Sequence, residues 1–179
     1  MKELKNIDQD FNEALFITKV NNIFVKLHTS VMLNNLESVR HFLGDKVYKK
    51  YLGILEDLNK NNEQQIYDEL NIKETYIVDI QILEDKINIK VKIISRYMDY
   101  IIDKDTLDFI RGNNINRIQK DNYLTFTKKL VTKELNISRH CISCGASIDL
   151  NNSGKCMYCG NIFSLENYDY ILTNIVIED

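Results

Sequence analysis

A chain of 179 residues that is 44% apolar can bury one core of ordinary size, or one domain carrying a small satellite. Its net charge of −3 argues against bulk binding to nucleic acid. No stretch approaches the roughly 18 consecutive apolar residues of a membrane span, and the charged start MKELKNIDQD is not a secretory leader, so a soluble, cytoplasmic chain is expected.

The first helix signal is Asp10 three residues before Glu13, the spacing of a capping box. Phe11, Leu15, Val20, Ile23, Phe24, Leu27 and Val31 follow at mostly three-to-four-residue steps, one apolar stripe that Asn34–Asn35 breaks. A short helix with Leu36, Val39, Phe42 and Leu43 ends at Gly44. Asp45 is then placed to cap a third helix, whose Tyr48, Tyr51, Leu52, Leu55 and Leu58 share a face. Such stripes usually form core; a membrane-surface or partner-binding face is the alternative. The polar run Asn59–Gln65 closes the helical part.

From about residue 72 the period changes from 3.6 to 2. Ile72, Tyr76, Val78, Ile80 and Ile82 mostly alternate with polar residues, Glu84–Asp85 makes a turn, and Ile87, Ile89, Val91 and Ile93 complete a long hairpin. The alternation slips at Ile93–Ile94–Ser95, which predicts a bulge that bends the sheet. Turn residues fill Lys104–Asn114. A further strand runs from about Arg117 to Leu130, with Leu124 and Phe126 on one face and Tyr123 and Thr125 on the other, and Tyr168–Ile177 is the last strand. Helices followed by a bent antiparallel sheet predict an α+β domain with helices packed on one face.

Between the last two strands stands CISCGASIDLNNSGKCMYC, with all four cysteines, Cys141, Cys144, Cys156 and Cys159, in two Cys-x-x-Cys pairs. Gly145 and Gly160 follow the pairs directly, as in facing zinc knuckles, where glycine is expected to let backbone N–H groups approach the sulfurs without a clashing Cβ. Four sulfur ligands suit one zinc and leave no open position for a substrate, so the role expected is structural. Iron of the rubredoxin type would take the same ligands, and two disulfides or four unrelated thiols are the plainer alternatives. His140 is a neighbour or a substitute ligand. The cluster reads as an insertion at 138–164 in a domain formed by 1–135 and 165–179.

The segments IDQDFNEALFITKVNNIFVKLHTSVMLNNLESVRHFLGDKVYKKYLGILEDL, SRYMDYIIDKDT, NYLTFTKKL and YDYILTNI carry an Asp-x-x-Phe start, a long Phe-containing helix, an Asn-Leu-x-x-Val break, a Tyr-rich helix and a closing aromatic-x-Leu strand. In this order they resemble the bacterial Tim44-like domain, over roughly residues 7–131 and 165–177. The family takes its name from the matrix-side tether of the mitochondrial inner-membrane protein translocase. The resemblance implies a cone fold like that of nuclear transport factor two, with a bent sheet around a cavity. It also implies a transport- or membrane-associated setting, with a protein or a lipid or other apolar ligand as partner and peripheral contact at the inner face of the membrane. The cysteine insertion and the missing upstream membrane-attachment segment depart from the family pattern.

Arg96, Asp99, Tyr100, Asp103, Arg117 and Tyr123 form the best polar cluster for ligand or partner contacts. Asp99 with Arg96 or Arg117 would make a ligand-anchoring pair in an isomerase-like enzyme of the cone fold, against the plainer reading of a rim salt bridge. His28, His41 and His140 have no evident nucleophile partner, and no phosphate loop, Gly-x-Ser-x-Gly or His-Glu-x-x-His is present, so a non-enzymatic module is favoured. RNA or ribosome contact through Lys128, Lys129, Lys133, Arg139 and His140 competes with a lysine-guarded edge strand.

Overall fold

The computed structural model describes residues 2–130, 141, 143–147, 156–160 and 169–178. The expected domain boundaries, with Lys133, Arg139, His140 and Tyr168, lie outside the described residues. In chain order come α1 (Lys2–Ile7), α2 (Glu13–Met32), a 3-10 helix (Leu36–Phe42), α3 (Asp45–Lys60), β1 (Glu63–Ile82), β2 (Lys86–Asp103), β3 (Phe109–Lys129) and β4 (Ile171–Glu178). Among the described residues the strands form one antiparallel meander in the order β1-β2-β3-β4. The cysteines stand between β3 and β4 in the sequence. This is an α+β, cone-like architecture.

The cap of α2 differs from expectation. Asn12, not Asp10, is the N-cap, and its side chain accepts the Leu15 N–H at 3.1 Å. Asn suits this position because its short side-chain oxygen reaches an N–H that has no helical partner. The buried stripe is accordingly Phe16, Val20, Ile23, Phe24, Leu27 and Val31, and Leu15 is 70% exposed. Asn34 ends the run in the left-handed region at φ 51°. The third helix is capped by Gly44 while Asp45 pairs with Arg40 at 2.5 Å, and Val47, Tyr51, Leu55 and Leu58 form its buried face. Leu52 is exposed. The short α1, unread in the sequence, sends Leu4 into the core.

In β2 the alternation is clean. Ile87, Ile89, Val91 and Ile93 are fully buried beneath the helices, and Leu124, Phe126, Leu172 and Ile175 continue the layer on β3 and β4. The expected bulge at Ile93–Ser95 is absent from β2, whose pairing with β3 runs unbroken there. Ser95 simply holds an inward position, its hydroxyl accepting the Asn122 side-chain N–H at 2.8 Å, with both residues at 0% exposure. A hydrogen-bonded polar pair is tolerated where a lone buried hydroxyl would be costly. The irregularities lie opposite, in β1, with register shifts at Asp68/Asn71, Ile72/Glu74 and Ile77/Asp79. They bend the sheet and obscure the alternation, so β1 begins at Glu63 and not near residue 72.

The β2–β3 hairpin is longer than expected, since β3 begins at Phe109. Gly112 makes this extension fit: at φ 106° it tolerates a conformation costly for other residues, and a Cβ would stand 2.4 Å from the Asp99 carbonyl oxygen. On the other side of β3, β4 is held at its start by Gly44 N–H donating to Leu172 O at 2.8 Å and by the Lys50 ammonium donating to Ile175 O at 3.2 Å.

Candidate metal centre and adjoining polar sites

Each cysteine pair sits on a tight turn that closes on its first cysteine. Gly145 N–H donates to Cys141 O at 2.8 Å and Gly160 N–H to Cys156 O at 2.9 Å. Both glycines take φ 72°, and nothing lies within 4 Å of where a Cβ would stand. Backbone conformation therefore demands glycine here, and the expected steric reason does not hold. The turns face one another, pairing Cys141 with Cys159 and Cys144 with Cys156 at 3.6 Å between sulfurs, and all four sulfurs lie within 4.8 Å of one another.

Zinc at its usual 2.3 Å from each sulfur gives a tetrahedron with edges of about 3.8 Å, so the donor set fits a metal of that size. The cysteines are not joined as disulfides. Cys156 is drawn down to about 6 by the N–H groups of Cys159 and then Tyr158, which favours the thiolate a metal needs. Cys141 and Cys156 are buried, while Met157 and Tyr158 at the second turn are about four-fifths exposed. His140 lies outside the described residues.

The polar cluster read from the sequence divides. Asp99 shares its sheet face with Tyr97 and takes the Lys120 ammonium at 2.8 Å and the Gln65 amide at 2.7 Å. Arg96 is on the opposite face and exposed, and Arg117 pairs with Glu69 at 3.3 Å, so neither is the cation beside Asp99. Tyr123 is on the outer face under Lys90 and Lys92, and Lys92 pairs with Asp121 at 2.5 Å. Asp103 accepts the N–H groups of Asp105 and Thr106 at 2.9 Å, which shape the turn into β3 and hold its carboxyl below the usual range. Only Asp99 and Tyr100 of the predicted contacts meet in one cavity of about 550 Å³, with Gln65, Arg111, Asn113 and Lys120. Lys120 and Arg111 were missed because their partners, Asp99 and Glu63, are remote in sequence and nothing local marks them.

His28 is buried behind this group, its ring 4.6 Å from Tyr67 and 5.6 Å from Tyr97. Nδ1 lies 2.8 Å from Phe24 O and donates to it, so the neutral ring is held in one tautomer. Burial pushes its pKa down to about 4.

At the other end, Asp8 joins α1 to the sheet. Lys128 donates to both its oxygens at 2.9 Å and the Tyr170 hydroxyl to one at 3.0 Å. Lys19 pairs with the adjacent Asp169 at 2.5 Å. Asp8→Ala leaves a largely covered ammonium without its carboxylate and is expected to cost about 2 kcal/mol, read from denaturant midpoints at an unchanged m-value. Tyr170→Phe, which removes one neutral donor, should cost about half as much. Equal losses would mean that the ion pair adds nothing to the hydroxyl.

A second cavity, of about 250 Å³, opens between the C-terminal ends of α2 and α3. Its apolar wall is Val31, Leu33, Leu55 and Leu58, and Asn34, Asn59 and Lys104 rim it. Among the described residues no helix is long and apolar enough to cross a membrane.

Helices packed on one face of a bent antiparallel meander, with a four-cysteine cluster before the last strand, define a cone-like α+β domain carrying a candidate metal knuckle pair. The family model of the Tim44-like domain matches residues 1–136, and the chain belongs to that family. Among solved structures it is similar to the intermembrane space region of the chloroplast protein ARC6, at 6% identity and a TM-score of 0.45, covering 90% of this chain and 95% of that one. No curated protein sequence matches it.

Proposed function

We propose that the protein is a non-enzymatic interaction module of the Tim44-like family, clasped by one structural zinc and working in a transport- or membrane-associated setting in the cytoplasm. Its partner is a protein or lipid that presents an apolar group to the mouth between α2 and α3. Family membership over residues 1–136 is the observation that carries this reading. The cavity walled by Val31, Leu33, Leu55 and Leu58 supports it, since an apolar wall with a polar rim is the usual make-up of a binding pocket. The four sulfurs support a structural metal, because a complete sulfur set leaves no coordination position for chemistry.

Co-sedimentation with phosphatidylcholine vesicles, with and without phosphatidylglycerol, tests the membrane part. Binding that Leu33→Glu abolishes is expected. No sedimentation with either vesicle would exclude the lipid partner and leave a protein one.

The Asp99 cavity favours small-molecule binding as a second reading. Catalysis there would require turnover of a small carbonyl compound that Asp99→Asn removes. RNA contact would show as binding that falls steeply with salt.

A further inference from the structure

The cavity between the far end of the β2–β3 hairpin and the start of β1 is rich in unused donors. Arg111 meets Glu63 end-on, Nη1 to Oε1 at 2.5 Å and Nη2 to Oε2 at 2.6 Å. A guanidinium has five N–H groups, so an end-on pair leaves the edge carrying Nε–H able to hold a second planar anion with two parallel bonds. Asn113 is polarised in the same sense. Its Oδ1 accepts the N–H groups of Ile115 at 3.0 Å and Asn116 at 2.9 Å, which fixes the side chain and leaves its NH₂ as the exposed function. Both residues line the cavity of about 550 Å³, together with the apolar side chains of Ile101 and Ile118 and the ring of Tyr100.

The acids nearby do not compete for these donors. Asp99 is bonded to Gln65 and Lys120, and Glu63 accepts on both oxygens from the end of Arg111 that the cavity ligand would not use. Gly112 locks the arrangement, because its φ of 106° and a packing so close that a Cβ would stand 2.4 Å from the Asp99 carbonyl oxygen set Arg111 and Asn113 on either side of a fixed point.

We propose that this cavity binds a small organic carboxylate with an apolar body. The carboxylate is held by the Nε edge of Arg111 and the amide of Asn113, and the body rests on Ile101, Ile118 and Tyr100. A carboxylate matches the flat donor edge, whereas an alcohol offers one acceptor and an amine none that is useful. The site is independent of the partner proposed for the mouth between α2 and α3.

Amide and side-chain N–H resonances of the full chain, titrated with benzoate, benzyl alcohol, benzylamine and sodium chloride, test it. Benzoate should shift the Arg111 Nε–H, the Asn113 side-chain NH₂ and the Gly112 amide saturably, with benzyl alcohol and benzylamine leaving them in place. Arg111→Lys keeps a cation for Glu63 but lacks the planar edge, and should weaken benzoate at least about tenfold. Asn113→Asp keeps the oxygen that accepts from Ile115 and Asn116, but turns the donor into a repelling charge, and should abolish binding. Equal shifts with benzyl alcohol or with chloride, or undiminished benzoate binding in both variants, would overturn the proposal.

Discussion

Stripping the metal should unfold the cysteine segment and little else. With chelator, or in Cys144→Ser, all remaining thiols become titratable by a thiol reagent, and amide exchange between Cys141 and Gly160 becomes immediate. Metal analysis of the untreated protein should find about one zinc per chain, as four such ligands require. The size of the effect on the sheet follows from two magnitudes. Structural zinc in small peptides binds with an apparent energy on the order of 10–16 kcal/mol, which is ample to order its own loop. The connection from β3 to β4 is 41 residues, and pinning Cys141 to Cys159 roughly halves its effective length. Halving a loop changes its closure entropy by only about 0.6 kcal/mol. The final strand should thus lose only a few-fold in protection, because Leu172 and Ile175 remain buried in the core. Global unfolding on chelation would sink this account and make the cluster the organising centre of the domain.

The second large effect is acid sensitivity set by His28. Its pKa is near 6.5 in the unfolded chain and about 4 when buried. As the pH falls, the unfolded state takes up the proton first and the native state resists it. The neutral ring's contribution is therefore present in full above pH 6.5, declines through the window, and is gone by about pH 4. At about 1.4 kcal/mol per unit the loss comes to about 3 kcal/mol. Asp99 and Lys120 both face the ring electrostatically and oppose each other, Asp99 raising and Lys120 lowering its affinity for a proton. Urea unfolding at half-unit steps from pH 7.5 to 4, compared with His28→Leu, isolates the contribution from that of the carboxylates. Parallel curves for the two proteins would rule it out.

The contrast between what could and could not be read in the sequence has a physical basis. Ile87, Ile89, Val91 and Ile93 announce β2 because one face of that strand is uniformly covered by helices, so burial prints a period of two. Leu124 and Phe126 do the same for β3. The start of β1 carries no such print, because bulged residues such as Glu69, at φ 52°, shift the faces within a few positions. Ser95 looked like a slip because its compensation is Asn122, on another strand. Helix α1 is six residues long, too short for any periodicity to show.

The cysteines were legible since the ligands of a metal knuckle are neighbours in sequence, with glycines where the turns need them. Asp99 was noticed as chemistry, but its partner is Lys120, 21 residues away on the adjacent strand. Arg96 is close to Asp99 in the sequence but not in the sheet, where residues 96 and 99 face opposite ways.

The bond between Asp8 and Tyr170 spans 162 positions of the chain, and it closes a core that already lacks one wall until Leu172 and Ile175 arrive. During synthesis, α1 and the first three strands therefore emerge with the seat for the last strand still open. Domains of this kind fold as units and are aggregation-prone while apolar surface waits for its cover. The cysteine loop is made in that interval, so its four thiols leave the ribosome before the sheet is finished. A ribosome-stalled chain ending short of residue 170 should remain protease-sensitive at α1, and one extended well past residue 178 should not. On a nascent chain the cysteine cluster is therefore complete before the strand that closes the cone has been made.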